Sequence, residues 1–341
     1  MPLLSGLENK QKASFKLSYL TRPVTFRKKL AGFFTLNCPT FKEHQMSEWD
    51  GKSKGSVLGY KIFVFSIKNL GVKTAYFMLY FVAAYYFLFL RKTSRSIFYY
   101  FHNRLQYPYW KAKKMVYQNY FVFGQTLVDK TAISAGMREK FTYEFDGIET
   151  LKRLLAEKKG GVLISAHIGN FEINEYFFND IDIEFQINIV TTDNEHRAIK
   201  HYLESVSQKT NAKFIIVKED LSHIFEINAA LAKNELICFT GDRYLEGTKA
   251  ISETFLGEEA NFPAGPFLIA SRLKVPVVFV YVMKEKNEHY HLYAREAEVT
   301  HRNDRELLKT YIKSVESMLQ KYPLQWFNYF DFWNKFSQHK K

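Results

Sequence analysis

The segment Lys158–Phe178 (KKGGVLISAHIGNFEINEYFF) constrains the fold of this chain more than any other. Its apolar run Val162–Ser165 predicts a short buried strand that leads directly to His167. Glu172 follows five positions later, and on one continuous helix residues at that spacing point about 140° apart. The two side chains can meet if His167 lies in the loop at the strand end and Glu172 lies in the first turn of the next helix. The sequence therefore predicts a strand, a loop and a helix, with a histidine and a carboxylate at the junction.

Two residues of the loop favour this local structure. Gly169 supplies a tight turn, and Asn170 is predicted to be the N-cap of a helix from Phe171 onward. A carboxylate in the first helical turn is favoured by the helix dipole, so Glu172 is expected to hold the imidazole of His167 in one tautomer and make it a better base. The alternative interpretation is that His167 merely ends a buried strand and Glu172 is an ordinary first-turn acid.

Length and composition bound the class of protein. The 341 residues, 47% hydrophobic and 24% charged, are enough for one large domain or for one domain with an attachment. The aromatic share of 17% is high for a purely soluble enzyme, and the net charge of +13 suits an anionic membrane, an acidic carrier protein or nucleic acid. Cys38 and Cys238 are far apart and lack metal spacing, so we expect no disulfide framework and a reducing compartment. Cys238 lies in an apolar run and is expected to be a buried thiol.

The chain is expected to have four parts. Residues 1–45 carry eight Lys or Arg against two Glu, a net charge of +6, and lack the apolar core of a signal peptide. We expect a flexible basic extension there, or a translation start at Met46. Membrane-anchoring or interfacial helices are predicted over residues 46–123, an α/β domain over 124–335 and a short tail over 336–341.

The run Thr74–Leu90 (TAYFMLYFVAAYYFLFL) contains 17 residues and no charge. As a helix it would be about 26 Å long, the lower limit for crossing the hydrocarbon core of a bilayer. A membrane span, a re-entrant segment and a core helix all fit, and basic residues on both flanks leave the orientation open. The next stretch, Ser96–Phe123, mixes aromatic residues with Arg and Lys, as is typical of helices at a headgroup interface. The alternative is amphipathic helices that pack on the protein itself.

From about residue 146, apolar strand-like runs alternate with stretches of helical spacing, which predicts an α/β layered domain with a largely parallel sheet. Ligands of such domains bind outside the carboxyl ends of strands, and His167 and the run Gly241–Arg243 each lie at such an end. The predicted strands are Val162–Ser165, Phe185–Val190, Lys213–Val217, Leu236–Phe239, Val275–Met283 and His289–Arg295. The predicted helices are Glu149–Lys158, Phe171–Phe178, Glu195–Lys209, Leu221–Lys233, Gly265–Leu273 and Asp304–Lys321.

The segment GGVLISAHIGNFE resembles the first signature, His-x4-Asp/Glu, of the lysophospholipid acyltransferase superfamily, and its wording is most similar to the lipid A late-acyltransferase (lauroyl/myristoyl transferase-like) branch. Residues 239–280 resemble later blocks of that branch. They contain an acid–Arg pair at Asp242-Arg243, an FFG-like turn at Phe255–Gly257, a Pro-x-Gly-Pro helix start at Pro263–Pro266 and a Val-Pro-Val strand. The aromatic QWF at Gln325–Phe327 is also similar to the family, so the resemblance covers roughly residues 50–335.

The resemblance implies a glycerol-3-phosphate acyltransferase-like fold, a central largely parallel mixed sheet flanked by helices, with membrane-associated N-terminal helices. It implies transfer of a fatty acyl chain from acyl-carrier protein or coenzyme A to a hydroxyl of a lipid A precursor or related glycolipid. The implied place is the cytoplasmic face of the inner membrane, with anionic membrane lipid as a partner and no cofactor. His167 would act as general base with Glu172 as its partner. Ser165 is expected to point into the sheet, so we expect direct transfer without an acyl-enzyme.

The resemblance also suggests residues that bind the substrate. Expected donors to the oxyanion of the tetrahedral intermediate are backbone amides around Gly169 and Asn170, the Asn170 side chain, or Arg243 beside Asp242. A salt bridge of Arg243 with Asp242 or Glu246 is the alternative.

A second group of residues is expected to contact other parts of the substrates. The family often has an arginine after its second strand. The stretch Ile189–Asp193 (IVTTD) has none, and Arg197 is the expected substitute for contact with the acceptor's phosphate. Gly257, Pro263 and Gly265 are expected to provide turn and cap geometry and to wall the acyl channel.

Other functions remain as alternatives. His289 and His291 alternate on a predicted strand, but no third ligand is evident, so no metal is predicted. An acyltransferase for a lysophospholipid, an amino-acid lipid or a pigment fits the same residues, as does a non-catalytic basic membrane scaffold. Nucleic acid is not an expected partner, because the basic residues are widely spread and nearly half of the excess charge lies in residues 1–45.

Overall fold

Helices form the first part of the protein that the structure describes. The computed structural model describes residues 65–67, 69–173, 186–191, 213–218, 220–243 and 248–335, apart from the side chain of Glu172. All of them belong to the compact unit Met46–Lys341. The first helices are α1 Val72–Phe89, α2 Arg91–Tyr99 and α3 Tyr109–Ser134, and a π-helical turn, Tyr100–Arg104, follows α2 directly.

Helix α1 contains the predicted apolar run except for its last residue. Its buried face is formed by Val72, Ala75, Leu79 and Ala83, and α1 packs along α3. A β-carbon at Gly124 of α3 would lie only 2.7 Å from Leu79 Cδ2, so the two helices approach closely at this glycine. In the described part of the chain, α1 is the helix whose length and composition suffice for crossing a membrane.

Nine strands and four further α-helices follow within the described residues. The strands are β1 Thr142–Asp146, β2 Gly161–Ser165, β3 Ile187–Thr191, β4 Lys213–Ile216, β5 Leu236–Thr240, β6 Ala250–Phe255, β7 Glu258–Pro263, β8 Val277–Lys284 and β9 His289–Ala297. The helices are α4 Ile148–Ala156, α5 Ser222–Ala232, α6 Ala264–Ala270 and α7 Asp304–Lys321. Seven strands form one sheet in the order β1-β9-β8-β2-β5-β3-β4, in which only β8 and β9 pair antiparallel.

The sheet has a hydrophobic cluster on each face. Successive residues of β2 point to opposite faces, as the period of a strand requires. Val162 and Ile164 join the cluster that contains residues of α5, α6 and α7, whereas Leu163 joins the cluster that contains residues of α4, and α1 and α3 contribute residues to both clusters. A strand that is buried on both faces reads as a continuous apolar run, which is why the sequence predicts β2 so clearly.

The predicted α/β class with a largely parallel sheet is confirmed. All six predicted strands form, with bounds that differ by up to two residues, and α7 has the predicted bounds. The predicted helix Glu195–Lys209 and residues 174–178 of the predicted helix Phe171–Phe178 lie outside the described residues. The predicted domain boundary at residue 124 falls inside α3, which is one continuous helix, and the division into domains stays a prediction.

Strand β1 and the hairpin β6–β7 were not among the predicted strands. Strand β1 alternates exposed and half-buried residues at the edge of the sheet, so it lacks an apolar run. The hairpin turns at Leu256 and Gly257, whose φ values are 50° and 78°, and it pairs Phe255 with Glu258. Positive φ at both central residues is the type I′ geometry that matches the strand twist, so the predicted turn at Phe255–Gly257 is confirmed.

Candidate active site

The site is built where the neighbouring strands β2 and β5 end. Their register pairs Ser165 with Thr240, and the amide of Gly241 donates to the Ser165 carbonyl at 2.8 Å. His167 and Asp242 each follow two residues after their strand, so they lie side by side at the carboxyl edge of the sheet. The hydroxyl of Ser165 donates to the buried carbonyl of Val280 at 2.7 Å, so the serine points into the protein as expected.

A buried carboxylate holds the imidazole of His167. Asp242 Oδ1 lies 2.7 Å from Nδ1 of His167, and Oδ2 accepts the backbone N–H of His167 at 3.0 Å. The indole N–H of Trp326 also donates to Oδ2, at 3.4 Å. The side chain of Asp242 is 4% exposed and that of His167 is 24% exposed. In neutral imidazole one nitrogen is a donor, so a proton on Nδ1 for Asp242 leaves the lone pair on Nε2.

The electrostatics of the pair keep Asp242 charged. Burial by itself would raise the pKa of Asp242. The charge and hydrogen bonds of His167 and the charge of Arg243 together outweigh that effect, and the pKa lies below its ordinary value of 3.8. Asp242 is therefore ionised at neutral pH and stabilises a positive charge on the imidazole.

The loop after His167 is fixed by its own amides. Gly169 has a φ of 63° and donates its N–H to the Gln325 carbonyl at 2.8 Å, while Asn170 donates its N–H to the Val282 carbonyl at 2.7 Å. The side-chain amide of Asn170 donates to the carbonyl of Thr126 at 3.0 Å. These donors are engaged in holding the loop, and the expectation that Gly169 and Asn170 bind the oxyanion stays a prediction.

The QWF segment near the C-terminus backs the His167 loop. Ile168 and Trp326 form an antiparallel bridge, and the amide of Phe327 donates to the His167 carbonyl at 3.0 Å. A guanidinium nitrogen of Arg243 donates to the carbonyl of Phe327, which places Arg243 beside the same segment. In the sequence, the family resemblance marks QWF as a segment of interest, and its aromatic residues are typical of a buried segment. Its contact with Asp242 could not be predicted, because that contact depends on the tertiary structure.

Three other predicted site residues lie in a turn or at the start of a helix. Gly257 lies in the hairpin turn, Pro263 directly precedes α6, and Gly265 is the second residue of that helix. A β-carbon at Gly257 or Gly265 would meet no atom within 4 Å, so both are open turn or helix-start positions. Their turn and cap geometry agrees with expectation, and their role in an acyl channel stays a prediction.

Two predicted side chains are not described. The backbone of Glu172 lies in a 3₁₀ turn, Phe171–Ile173, but its side chain lies outside the described residues. Arg197 lies outside them altogether. The expected contacts of Glu172 with His167 and of Arg197 with a phosphate therefore stay predictions.

Histidines elsewhere have local partners. Nδ1 of His289 lies 2.8 Å from the hydroxyl of Thr142, and the ring of His291 stacks on Tyr293 with centroids 4.3 Å apart. Among the described residues, no three His, Cys, Asp or Glu side chains are grouped in a way that could hold a metal ion. Cys238 is buried in β5 as predicted, and burial raises the pKa of its thiol to about 12.

A buried ion pair lies behind the loop and was missed by the sequence analysis. Lys284 Nζ lies 2.7 Å from Asp129 Oδ2, with side chains 4% and 0% exposed. The hydroxyl of Tyr76 in α1 donates to Asp129 and accepts from Lys284. Tyr290 donates to Asp129 at 2.5 Å and accepts from the Asn170 amide at 3.3 Å. The network thus connects α1, α3, β8 and β9 with the loop that follows His167.

The same network reaches the loop by a second route. The side-chain amide of Gln325 accepts the N–H of Lys284 at 2.9 Å and donates to its carbonyl at 2.6 Å. The backbone carbonyl of Gln325 in turn accepts the N–H of Gly169. The loop is therefore connected to side chains of α1, α3, β8 and β9 and to Gln325.

The fold and the geometry of this site indicate a general class of protein. The protein has an α/β fold with a partly exposed histidine at the carboxyl edge of a largely parallel sheet. A buried, ionised carboxylate holds this histidine, and such a pair is chemically able to take up a proton. A family model described as bacterial lipid A biosynthesis acyltransferase matches residues 57–335.

The chain belongs to the bacterial lipid A biosynthesis acyltransferase family and is an acyltransferase. Membership implies an acyl donor and a lipid acceptor, and the family is typically associated with membranes. A comparison with curated proteins finds no match to this chain.

Proposed function

We propose that this protein is a membrane-associated acyltransferase that moves a fatty acyl chain from a thioester to a hydroxyl of a lipid A precursor or related glycolipid. The donor is acyl-carrier protein or acyl-coenzyme A. The observation that carries the proposal is the 2.7 Å contact between His167 and the buried carboxylate of Asp242. A free hydroxyl is a weak nucleophile, and this pair is suited to remove its proton during attack.

The proposed reaction proceeds through one tetrahedral intermediate. Nε2 of His167 takes the proton of the acceptor hydroxyl while the oxygen bonds to the thioester carbonyl carbon. Asp242 stabilises the resulting imidazolium through Nδ1, as the aspartate does in a Ser-His-Asp triad. The carbon–sulfur bond then breaks, and the thiolate takes the proton from Nε2. No residue of the protein is acylated in this scheme.

Arg243 is the proposed donor to the oxyanion. Its guanidinium is held by the carbonyl of Phe327, which directly follows the tryptophan that contacts Asp242. A positive group preorganised beside the reacting carbonyl stabilises the charge that develops on its oxygen. Arg197 is proposed to contact the acceptor's phosphate, and the segment with Gly257, Pro263 and Gly265 to border the acyl chain.

The role proposed for Glu172 differs from the one expected from the sequence. While the imidazole acts as a base it has one N–H to offer, and in the structure the nitrogen beside Asp242 is Nδ1. A second carboxylate that reaches the ring would meet the Nε2 side, where the acceptor hydroxyl must bind. We therefore propose that Glu172 orients the acceptor or the transferred proton, while Asp242 orients the imidazole.

Membrane attachment is proposed through α1. The face opposite its buried residues exposes large apolar side chains by 52–67%, namely Phe77, Tyr80, Phe81, Leu88 and Phe89. Exposed apolar surface of this kind favours contact with lipid. The cytoplasmic face of the inner membrane is the proposed location, because acyl thioesters are available there and the unpaired thiol of Cys238 is compatible with a reducing compartment.

Acyl transfer by purified protein tests the proposal. The His167→Ala variant and wild type are incubated with acyl-carrier-protein or coenzyme A thioesters and with a lipid A precursor, a lysophospholipid or an amino-acid lipid. The products are measured by mass spectrometry. We expect the variant to be slower by about 10²–10⁴-fold. The control is His301→Ala, which removes an exposed histidine. Full transfer by His167→Ala would contradict the proposal, and transfer only to another acceptor would contradict the proposed substrate.

A further inference from the structure

A groove of about 380 Å³ lies where α1 ends and where α2 and α3 begin. Three of the described residues that line it are cations, Arg91 and Arg95 of α2 and Lys113 of α3, and none of the described lining residues is acidic. The apolar side chains of Phe87 and Leu88 also line it. The groove therefore combines positive charge with an apolar surface.

Two of these cations occupy positions that are unfavourable for helix α2 itself. Arg91 and Arg95 are four residues apart on one helix, and like charges at that spacing destabilise the helix. Arg91 is also the first residue of α2, where the helix dipole disfavours a cation. Lys113 joins them from α3, with its ammonium 5.0 Å from the ring centre of Phe98. A bound anion would offset both unfavourable effects and would also pair with Lys113.

The apolar surface restricts the kind of anion. Leu88 lines the groove and is also 60% exposed on the apolar face of α1, so the groove is continuous with the surface proposed to contact lipid. Trp110 and Tyr109, at the start of α3, are 80% and 49% exposed. Exposed tryptophan and tyrosine are typical of the headgroup level of a bilayer. A free phosphate ion would use the cations but not the apolar side chains beside them.

We propose that this groove binds an anionic phospholipid of the membrane, with the phosphate between Arg91, Arg95 and Lys113 and an acyl chain along Phe87 and Leu88. This proposal rests on the membrane association proposed above. Asn119 lies six residues beyond Lys113 on α3, about 9 Å along the helix axis. Its amide donates to the carbonyls of Leu324 and Trp326, so a lipid in the groove fixes the membrane surface relative to the segment that backs His167.

The test uses the full chain in detergent and short-chain lipids that dissolve as monomers. The midpoint of thermal unfolding is measured with dihexanoyl phosphatidylglycerol, dihexanoyl phosphatidylcholine or inorganic phosphate. The groove variant is Arg91→Gln with Lys113→Gln. The matched control is Lys92→Gln with Lys114→Gln, which removes the same charge from the adjacent, exposed positions outside the groove.

We expect phosphatidylglycerol to raise the unfolding midpoint of wild type and of the control pair. The groove pair should bind it about 30-fold more weakly, as the loss of two cations at an anionic headgroup predicts. If the groove pair does not fold, Lys113→Gln alone should weaken binding by about fivefold.

Three results would overturn the proposal. An equal loss in the control pair would mean general surface charge, an equal effect of phosphatidylcholine would mean apolar contact alone, and an equal effect of inorganic phosphate would mean a free-anion site. The measurement is repeated with His167→Ala, which should bind the lipid as wild type does. Because this readout needs no acyl transfer, failure of the proposed reaction would leave the lipid result intact, and the reverse also holds.

Discussion

The carboxylate of Asp242 lies 2.7 Å from Nδ1 of His167 although 75 residues separate them in the sequence. The two residues follow adjacent parallel strands, and the register of β2 with β5 brings them together. Asp242 is held in turn by the backbone N–H of His167 and the indole of Trp326. The orientation of the imidazole is therefore determined by the sheet and by the C-terminal segment together.

The first prediction compares the two carboxylates. Asp242→Asn should lower kcat by about 10³–10⁴-fold, because an amide at that position favours the wrong imidazole tautomer. Glu172→Gln should mainly change the KM for the acceptor. The pH dependence of its kcat should stay close to that of wild type. Steady-state kinetics of acyl transfer between pH 5 and 9 check both variants (roughly the range in which a histidine titrates). A loss below about tenfold in Asp242→Asn, with a larger loss in Glu172→Gln, would assign the orienting role to Glu172.

The second prediction concerns the stability of the protein in acid. Because the pKa of Asp242 is lower in the folded protein than its ordinary value of 3.8, folding favours the charged form. Its contribution to stability is present above pH 3.8 and is lost as the pH falls through the folded pKa. The free energy of unfolding of wild type should therefore fall more steeply below about pH 4 than that of Asp242→Asn. Denaturant titrations at several pH values measure this difference, and parallel curves would argue against an ionised Asp242.

The third prediction concerns the buried pair of Lys284 and Asp129. Lys284→Met removes the counter-charge of the buried Asp129, which keeps only the hydroxyls of Tyr76 and Tyr290 as partners, and should cost about 3–5 kcal/mol in the free energy of unfolding. The double variant with Asp129→Leu should lose less than the sum of the two single variants, because neither charge is then left alone. Tyr76→Phe removes only a hydroxyl and should cost about 1 kcal/mol. Additive losses in the double-mutant cycle would show that the pair is not coupled.

The fourth prediction concerns the turn after His167. A β-carbon at Gly169 would lie 2.2 Å from the Val282 carbonyl oxygen, so Gly169→Ala must push the loop away from β8. Gly257→Ala is the matched control, since Gly257 also has a positive φ but has open space around it. The control should lose about 1 kcal/mol of stability and leave the loop after His167 in place. Gly169→Ala should lose more stability and most of its acyl transfer, and equal losses in the two variants would contradict the close contact with β8.

Much of the fold could be predicted because its signals are local. Strands β2, β5 and β8 are buried on both faces and read as apolar runs, and α7 has helical spacing with an Asn303 cap that accepts the N–H of Glu306. Strand β1 and the hairpin β6–β7 could not be recognised, since their exposed or half-buried residues leave no apolar run. Strand β1 in addition pairs with β9, which is distant in the sequence.

For the site, the sequence by itself determined that a histidine follows a buried strand and that an acid–arginine pair follows another. Only the tertiary structure decided that these two strands are neighbours, and hence that Asp242 contacts the imidazole. It also decided that the amides of Gly169 and Asn170 are engaged by Gln325 and Val282. The physical reason is that strand order and register follow from packing across the whole sheet, whereas hydrophobic period and turn residues act within a few positions of the chain.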